Sequence, residues 1–448
     1  MIIPRRSRST RSPSAPLGSA FALFALTAAL ARTTPAAAEG PLTLEDAVKL
    51  ALANNERALK APLRVEAAEG QLERARAAFL PTLTAGGTGT LAAQPDRNGR
   101  ILAGTGQVAV NQPIISLPAF PLYAQARHQL ESERWGAVED RRVLSFDAAK
   151  AYLLAVAGER LVGTAQRRLD RAHAAEQDAA SRAEAGLTSV NDVTRSKIDT
   201  STAENQLAQA KGSLDRAYLQ LAFLVARPVA GPLTPPQQTS AAAQRGQWRM
   251  DDVLRAAEAR RADVRSSHER TEALRAFAEE PMFRLAPTVG ASFIVHTTVD
   301  PVAPTPAHDE SGVLTLTWTI YDGGARYADR KTRTAQAESQ ALDERALRRS
   351  IGTDVGVAIA ALRTAREGYR ISEDAVTAAT KSAEETAILY RQGLARAIEV
   401  TDANASQYDA EVNLEAAKLA MEQGYLDLRQ ALGLDPIRGE IVPQGGAR

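Results

Sequence analysis

The residues of this chain whose types and spacing could do chemistry are few, and they gather at a break that occurs twice. Glu399 and Asp402 lie three residues apart just after Gly393, so both carboxylates fall on one helix face. The chemistry open to them is electrostatic, not covalent: a solvated acidic helix start, which the helix macrodipole favours. Arg396 stands just before them, and at the earlier break the aligned positions hold Asp192 and Arg195, so the acidic pair is not duplicated. Gly186 and Gly393 mark the two breaks, where glycine supplies the positive φ that ends one helix and lets the next begin at once. Elsewhere no nucleophile–base arrangement and no phosphate loop occurs. His128, His173, His268 and His296 are scattered without ligand spacing, and His308, Asp309 and Glu310 read as part of an exposed Pro-rich loop. No enzyme, no metal site and no cofactor is expected.

The breaks are set within long helices. From Tyr390 to Leu434 no Pro occurs, and Ala410, Leu414, Ala417, Met421, Gly424, Leu428 and Ala431 recur at alternating spacings of four and three. That is the rhythm of a coiled-coil seam, with small residues at one of its two positions. A gapless shift of 207 residues lays Gly186-Leu187 on Gly393-Leu394 and Tyr218-Leu219 on Tyr425-Leu426. The earlier copy keeps its own seam through Ala203, Leu207, Ala210, Leu214, Ala217, Leu221 and Leu224.

Residues 1–38 read as an export signal: Arg5, Arg6, Arg8 and Arg11 form a basic start, Leu17 to Ala31 an apolar run, and Ala36-Ala37-Ala38 a cleavage site. Removing it takes five Arg and no acid from 54 basic and 53 acidic residues, which leaves a net charge of −4. Nothing in that balance suggests a nucleic-acid partner. The absence of Cys excludes disulfides and an N-terminal lipid anchor on Cys. No later stretch is apolar enough for a transmembrane helix, so a membrane would have to be crossed by strands.

Taken in order, Leu42 to about Leu80 reads as helix, opened by the cap Thr43 and broken at Pro62. Two Thr- and Gly-rich strands follow, Leu83 to Leu91 and Gly104 to Ile114, then a helix from Phe120 to about Glu184 and the first seam helix. Residues 227–247, with four Pro, form a linker. The second half repeats the plan: one helix from Asp251 to about Phe283, strands Thr288 to Val299 and Val313 to Tyr321, and a helix from Ala325 to about Tyr390. In the last strand Leu314, Leu316, Trp318 and Ile320 alternate with polar residues and Tyr321. Four strands cannot close a membrane barrel, whereas three copies supply twelve.

In five places, in order and partly duplicated, the sequence resembles the outer-membrane efflux protein family, the TolC-like channels. These are LTLEDAVKLALANN, RVEAAEGQLERARAAFLPTL, Tyr321-Asp322-Gly323-Gly324, AEAGLTSVNDV and YRQGLARAIEVTDA. The resemblance implies a mainly α fold with a small β part. Long α-helical hairpins would form a periplasmic α-barrel, and four strands per chain would contribute to a trimeric 12-stranded β-barrel. The parts would be a signal peptide at 1–38, a first repeat at 39–226, a linker at 227–247, a second repeat at 248–435 and a tail at 436–448. The protein would be a passive homotrimeric conduit in outer-membrane lipid, for efflux or type I secretion, met by a periplasmic adaptor and an inner-membrane transporter. Family members place acidic residues where Glu399 and Asp402 stand, ringing the periplasmic entrance, so three copies would gather six carboxylates that favour cations. A gating link between Arg396 and Asp192 is also implied, the alternative being an exposed pair worth about 0–1 kcal/mol. Asp322, Gly323 and Gly324 would make a strand-to-helix turn that the first repeat, at Asn111 to Pro118, lacks. Trp318, Tyr321 and Phe293 would join an aromatic girdle, or else pack normally. The competing reading is a periplasmic coiled-coil adaptor or scaffold that spans no membrane.

Overall fold

The computed structural model describes residues 41–437 except 92, 96–98, 100, 246–247, 249 and 300–305. The export signal and most of the expected tail lie outside the described residues.

Two short helices open the chain, α1 (Leu44–Asn54) and α2 (Glu56–Ala77). Thr43 caps the first as expected, accepting from the Asp46 amide. The expected break at Pro62 does not occur: this residue lies inside α2, and the chain turns at Asn55 instead. A proline in a helix removes one backbone bond. Asn55 supplies more than that at its own position: its side chain accepts from the Arg57 amide at 3.0 Å and donates to the Leu224 carbonyl at 3.0 Å. The cap wins.

After β1 (Thr82–Leu91) and β2 (Leu102–Ile115) comes α3 (Ala119–Glu184), 66 residues long, or about 99 Å at 1.5 Å per residue. It returns as α4 (Val190–Val225). The expected linker contains a helix, α5 (Gln237–Arg245), whose Ala243 is fully buried. The single helix expected next is two, α6 (Met250–Arg260) and α7 (Ala262–Phe283). They part at Arg261, whose guanidinium holds Asp263 at 2.7 Å and Asp354 at 2.8 Å. Then follow β3 (Thr288–Val299), β4 (His308–Thr317), the 67-residue α8 (Ala325–Arg391) and α9 (Ala397–Ala431).

The cores repeat as the helices do. One gathers Leu144, Ala148, Ala151, Ala155 and Leu221, and the other Ile351, Val355, Ala358, Leu362 and Leu428, each residue 207 places from its counterpart. Small residues let the helices close in. A Cβ on Gly158 would stand 3.1 Å from Leu214 Cδ1 and 3.4 Å from its Cα, a tight contact that shows how closely the helices cross there.

The four strands form one antiparallel sheet in the order β1-β2-β3-β4. Its register sorts the faces. Leu83 lies opposite Val110, Val110 opposite Phe293, Ala85 opposite Val108 and Val108 opposite Val295, while Ala291 meets Leu314 and Val289 meets Leu316. The other face carries Thr84, Thr88, Gln107, Asn111, Ser292, His296 and Thr315. The apolar side chains are bare: Leu83 is 73% exposed, Leu314 71%.

β4 is shifted relative to expectation. It begins at His308, because His308, Asp309 and Glu310 pair with Thr297, His296 and Val295 instead of lying in the loop. It ends at Thr317, since Trp318 turns to donate its indole N–H to the Leu285 carbonyl at 2.9 Å and Arg326 binds the Thr319 carbonyl at 2.8 Å. Trp318, Ile320 and Tyr321 therefore follow the strand and do not continue its alternation.

Candidate functional site at the hairpin turns

Both long hairpins reverse by the same backbone device. Gly186 has φ 73° and Gly393 φ 78°. Beyond them the Leu187 amide reaches the Arg182 carbonyl at 2.8 Å and the Leu394 amide the Leu389 carbonyl at 2.9 Å. These six-to-one bonds satisfy carbonyls that the helix end would leave open.

The helices that follow start differently. At α4 Ser189 and Asp192 form a complete capping box. Asp192 Oδ2 accepts from Thr188 Oγ1 at 2.6 Å and from the Ser189 amide at 3.4 Å. At α9 the cap position is Arg396, which offers no side-chain acceptor. Glu399 and Asp402 are exposed there, as is Arg396, and none of the three has an ion-pair partner among the described residues. The structure thus keeps Glu399 and Asp402 together on one helix start, and does not join Arg396 to Asp192 within the protomer.

Three features near the turns were not legible in the sequence. Arg182 at the end of α3 donates to the Tyr390 carbonyl at 2.9 Å and the Arg391 carbonyl at 3.1 Å, and its guanidinium lies 4.5 Å from the centre of the Tyr390 ring. It ties the two hairpin ends together. Burial pushes the Tyr390 hydroxyl up from its ordinary value, with Arg182 pulling the other way. Higher up, Arg168 is 1% exposed and holds Asp199 of α4 through two hydrogen bonds, one of 3.0 Å. Beside this pair Glu411 of α9 takes Arg167 and Arg171, each at 3.2 Å. The one available signal was Asp199 itself, a charge four residues before Ala203, where the seam would otherwise continue.

At the opposite end of α8 the Asp322-Gly323-Gly324 turn behaves as its residues suggest. Gly323 and Gly324 have φ 70° and 88°. Asp322 accepts from the Gly324 and Arg326 amides at 3.1 Å each and from Arg326 Nε at 2.9 Å. The first junction has no such clamp: α3 starts behind Pro118 without a side-chain cap. Among the described residues no His, Cys, Asp or Glu group could hold a metal. Nor, among them, is any helix long and apolar enough to cross a membrane, a statement that leaves strands untouched.

Residues 47–227 and 253–434 each match the outer membrane efflux protein family. The chain belongs to that family. No curated protein matches it. Among solved structures it is similar to a membrane protein from Pseudomonas aeruginosa, at 20% identity and a TM-score of 0.76 over 87% of this chain and 92% of that one. It is also similar to the outer membrane protein VceC of Vibrio cholerae, at 17% identity and a TM-score of 0.73 over 87% and 96%. The open state of the Neisseria gonorrhoeae MtrE outer membrane channel gives 19% and 0.73 over 88% and 89%. At these identities the likeness concerns the fold. Family membership sets the function: this efflux protein is the outer-membrane channel component of an efflux system, with a large periplasmic part. The family is one of transport channels, and a scaffold confined to the periplasm is not favoured.

Proposed function

We propose that three copies of this efflux protein form a passive conduit from the periplasm to the exterior. A periplasmic adaptor and an inner-membrane transporter engage its turn end, and no catalysis occurs along it. The carrying observation is the partition of the sheet. An open antiparallel sheet with one bare apolar face and one polar face suits a barrel wall between lipid and water, and neither face suits a soluble core. Three such sheets would close twelve strands, with the Thr- and Gln-bearing face lining the passage. Exposed Trp318 and Tyr321 follow β4 at the end of the sheet nearest the helices, where an aromatic girdle would sit, while exposed Phe293 stands midway along β3.

At the far end of the helices, Glu399 and Asp402 from three protomers make a ring of six carboxylates that favours cations and binds multivalent ones. A link from Arg396 to Asp192 runs between neighbouring protomers. Both local bonds of Asp192 use Oδ2, so Oδ1 remains for an arginine. Single-channel recording in planar bilayers tests this. Alanine at both Glu399 and Asp402 is expected to lower cation selectivity and abolish block by multivalent cations; unchanged selectivity and block would overturn the ring. Arg396→Ala is expected to raise conductance, and an unchanged conductance would remove the link.

A further inference from the structure

Between the two hairpins, above the turns, lies a groove of about 420 Å³ that the conduit does not use. α3 contributes Arg171, Ala174, Ala175 and Asp178; α8 contributes Ala383, Ala387 and Tyr390 among others; Asn404 and Gln407 of α9 also line it. Its volume is in the range of small-molecule sites. Its small side chains give space, and its polar groups are not all spent.

Two of those groups are buried and unpartnered. Tyr390 is 8% exposed, and its hydroxyl makes no hydrogen bond. Arg171 uses Nη1 on Glu411, while Nε and Nη2 are buried with no acceptor. Nε and Nη2 form one edge of the guanidinium, the two-pronged fork that fits a carboxylate with parallel hydrogen bonds. Burying a donor without a partner is costly, so two such donors on one guanidinium edge point to an acceptor that fits them. The local charge points the same way. Among the described residues Arg167, Arg168 and Arg171 have two carboxylate partners between them, Asp199 and Glu411, and Arg171 shares Glu411 with Arg167. The acids Asp178 and Glu384 are exposed at the lip, with Arg391 beside them and Arg182 4.0 Å from Asp178.

We infer that this groove binds a small amphipathic carboxylate. Its head would sit on the Arg171 fork, its chain against Ala174, Ala383 and Ala387, and a second oxygen at the Tyr390 hydroxyl. The levels of Arg171 and Arg182 are about 16 Å apart along α3, so the ligand is elongated. Bound there, it would bridge α3 and α8 just above both turns.

The probe is 10-hydroxydecanoate, titrated calorimetrically into the full protein in lipid nanodiscs. Saturable binding is expected, weakened at least tenfold by Arg171→Gln and about threefold by Tyr390→Phe, and unchanged by Arg370→Gln on the outer face of α8. Tyr390→Phe removes only a hydroxyl, so it keeps the test open if Arg171→Gln disturbs the helices. No saturable binding, meaning water alone fills the groove, would overturn the site. So would binding that neither groove variant alters, or acetate binding as tightly as the long probe.

Discussion

The two hairpin turns share a backbone and differ in what their side chains are for. Around Gly186 the polar residues look inward: Ser189, Thr188 and Asp192 close on one another to start α4, and Arg168 with Asp199 locks that helix to α3. Around Gly393 the same frame carries an uncapped helix with Arg396, Glu399 and Asp402 open to solvent. Where two copies of a fold diverge in this way, the copy that gives up local bonds is the one with groups free for other charges. The first hairpin is a strut; the second presents.

The sharpest way to break this contrast is at the buried pair. Asp199→Ala leaves Arg168 enclosed without its partner, and is expected to destabilise the first hairpin by about 3–5 kcal/mol. Gln407→Ala in the second hairpin loses only a 3.4 Å contact to Thr380 and should cost about 0.5–1.5 kcal/mol. Hydrogen exchange across α3–α4 and α8–α9 reads both, and equal losses would erase the distinction. Next come the glycines. Gly186→Ala and Gly393→Ala should cost about 1–2 kcal/mol each, and alike, because both force a side chain into the left-handed region. The caps should then differ in sign. Asp192→Ala is expected to cost about 1 kcal/mol, whereas Arg396→Ser should add about 1 kcal/mol by supplying the missing cap, as thermal unfolding would register.

The smallest effect depends on pH and centres on Glu422 of α9. Burial pushes the Glu422 carboxyl above its ordinary range, while a hydrogen bond from Ser240 and the charges of Arg160 and Lys418 oppose the shift. A carboxyl that holds its proton more tightly when folded favours the fold fully below the ordinary carboxylate range. That contribution is lost as pH rises through the raised value. Glu422→Gln should therefore flatten the decline in stability as pH rises above the ordinary carboxylate range in denaturant titrations, leaving the low-pH value nearly unchanged.

What could be read in advance was local or periodic. Seam residues such as Leu207 and Leu414, the positive-φ glycines and the Asp322 turn announce themselves through spacing or through a conformation that one residue type adopts. Bonds between distant residues do not. Asn55 outranks Pro62 as a break because it reaches Leu224, 169 residues away. His308 to Glu310 join β4 because β3 offers partners across a Pro-rich connection that composition alone reads as loop. Arg182 gives no sign of its hold on Tyr390, 208 residues further on. At the candidate site, the residues named from the sequence are indeed at the turns, while the clamp and buried charges that position them needed the fold.

The sheet has one more consequence, for how the protein is made. β1 and β4 are each paired on one side only, so a lone protomer carries two open rows of backbone donors and acceptors beside a bare apolar face. In lipid those rows would have nothing to bind. In water the apolar face would invite indiscriminate association. Neither solvent suits the single chain, so meeting other copies and entering the membrane are expected to be coupled. The rate of assembly should climb steeply with protomer concentration, and chaperones that shield strand edges should govern its yield.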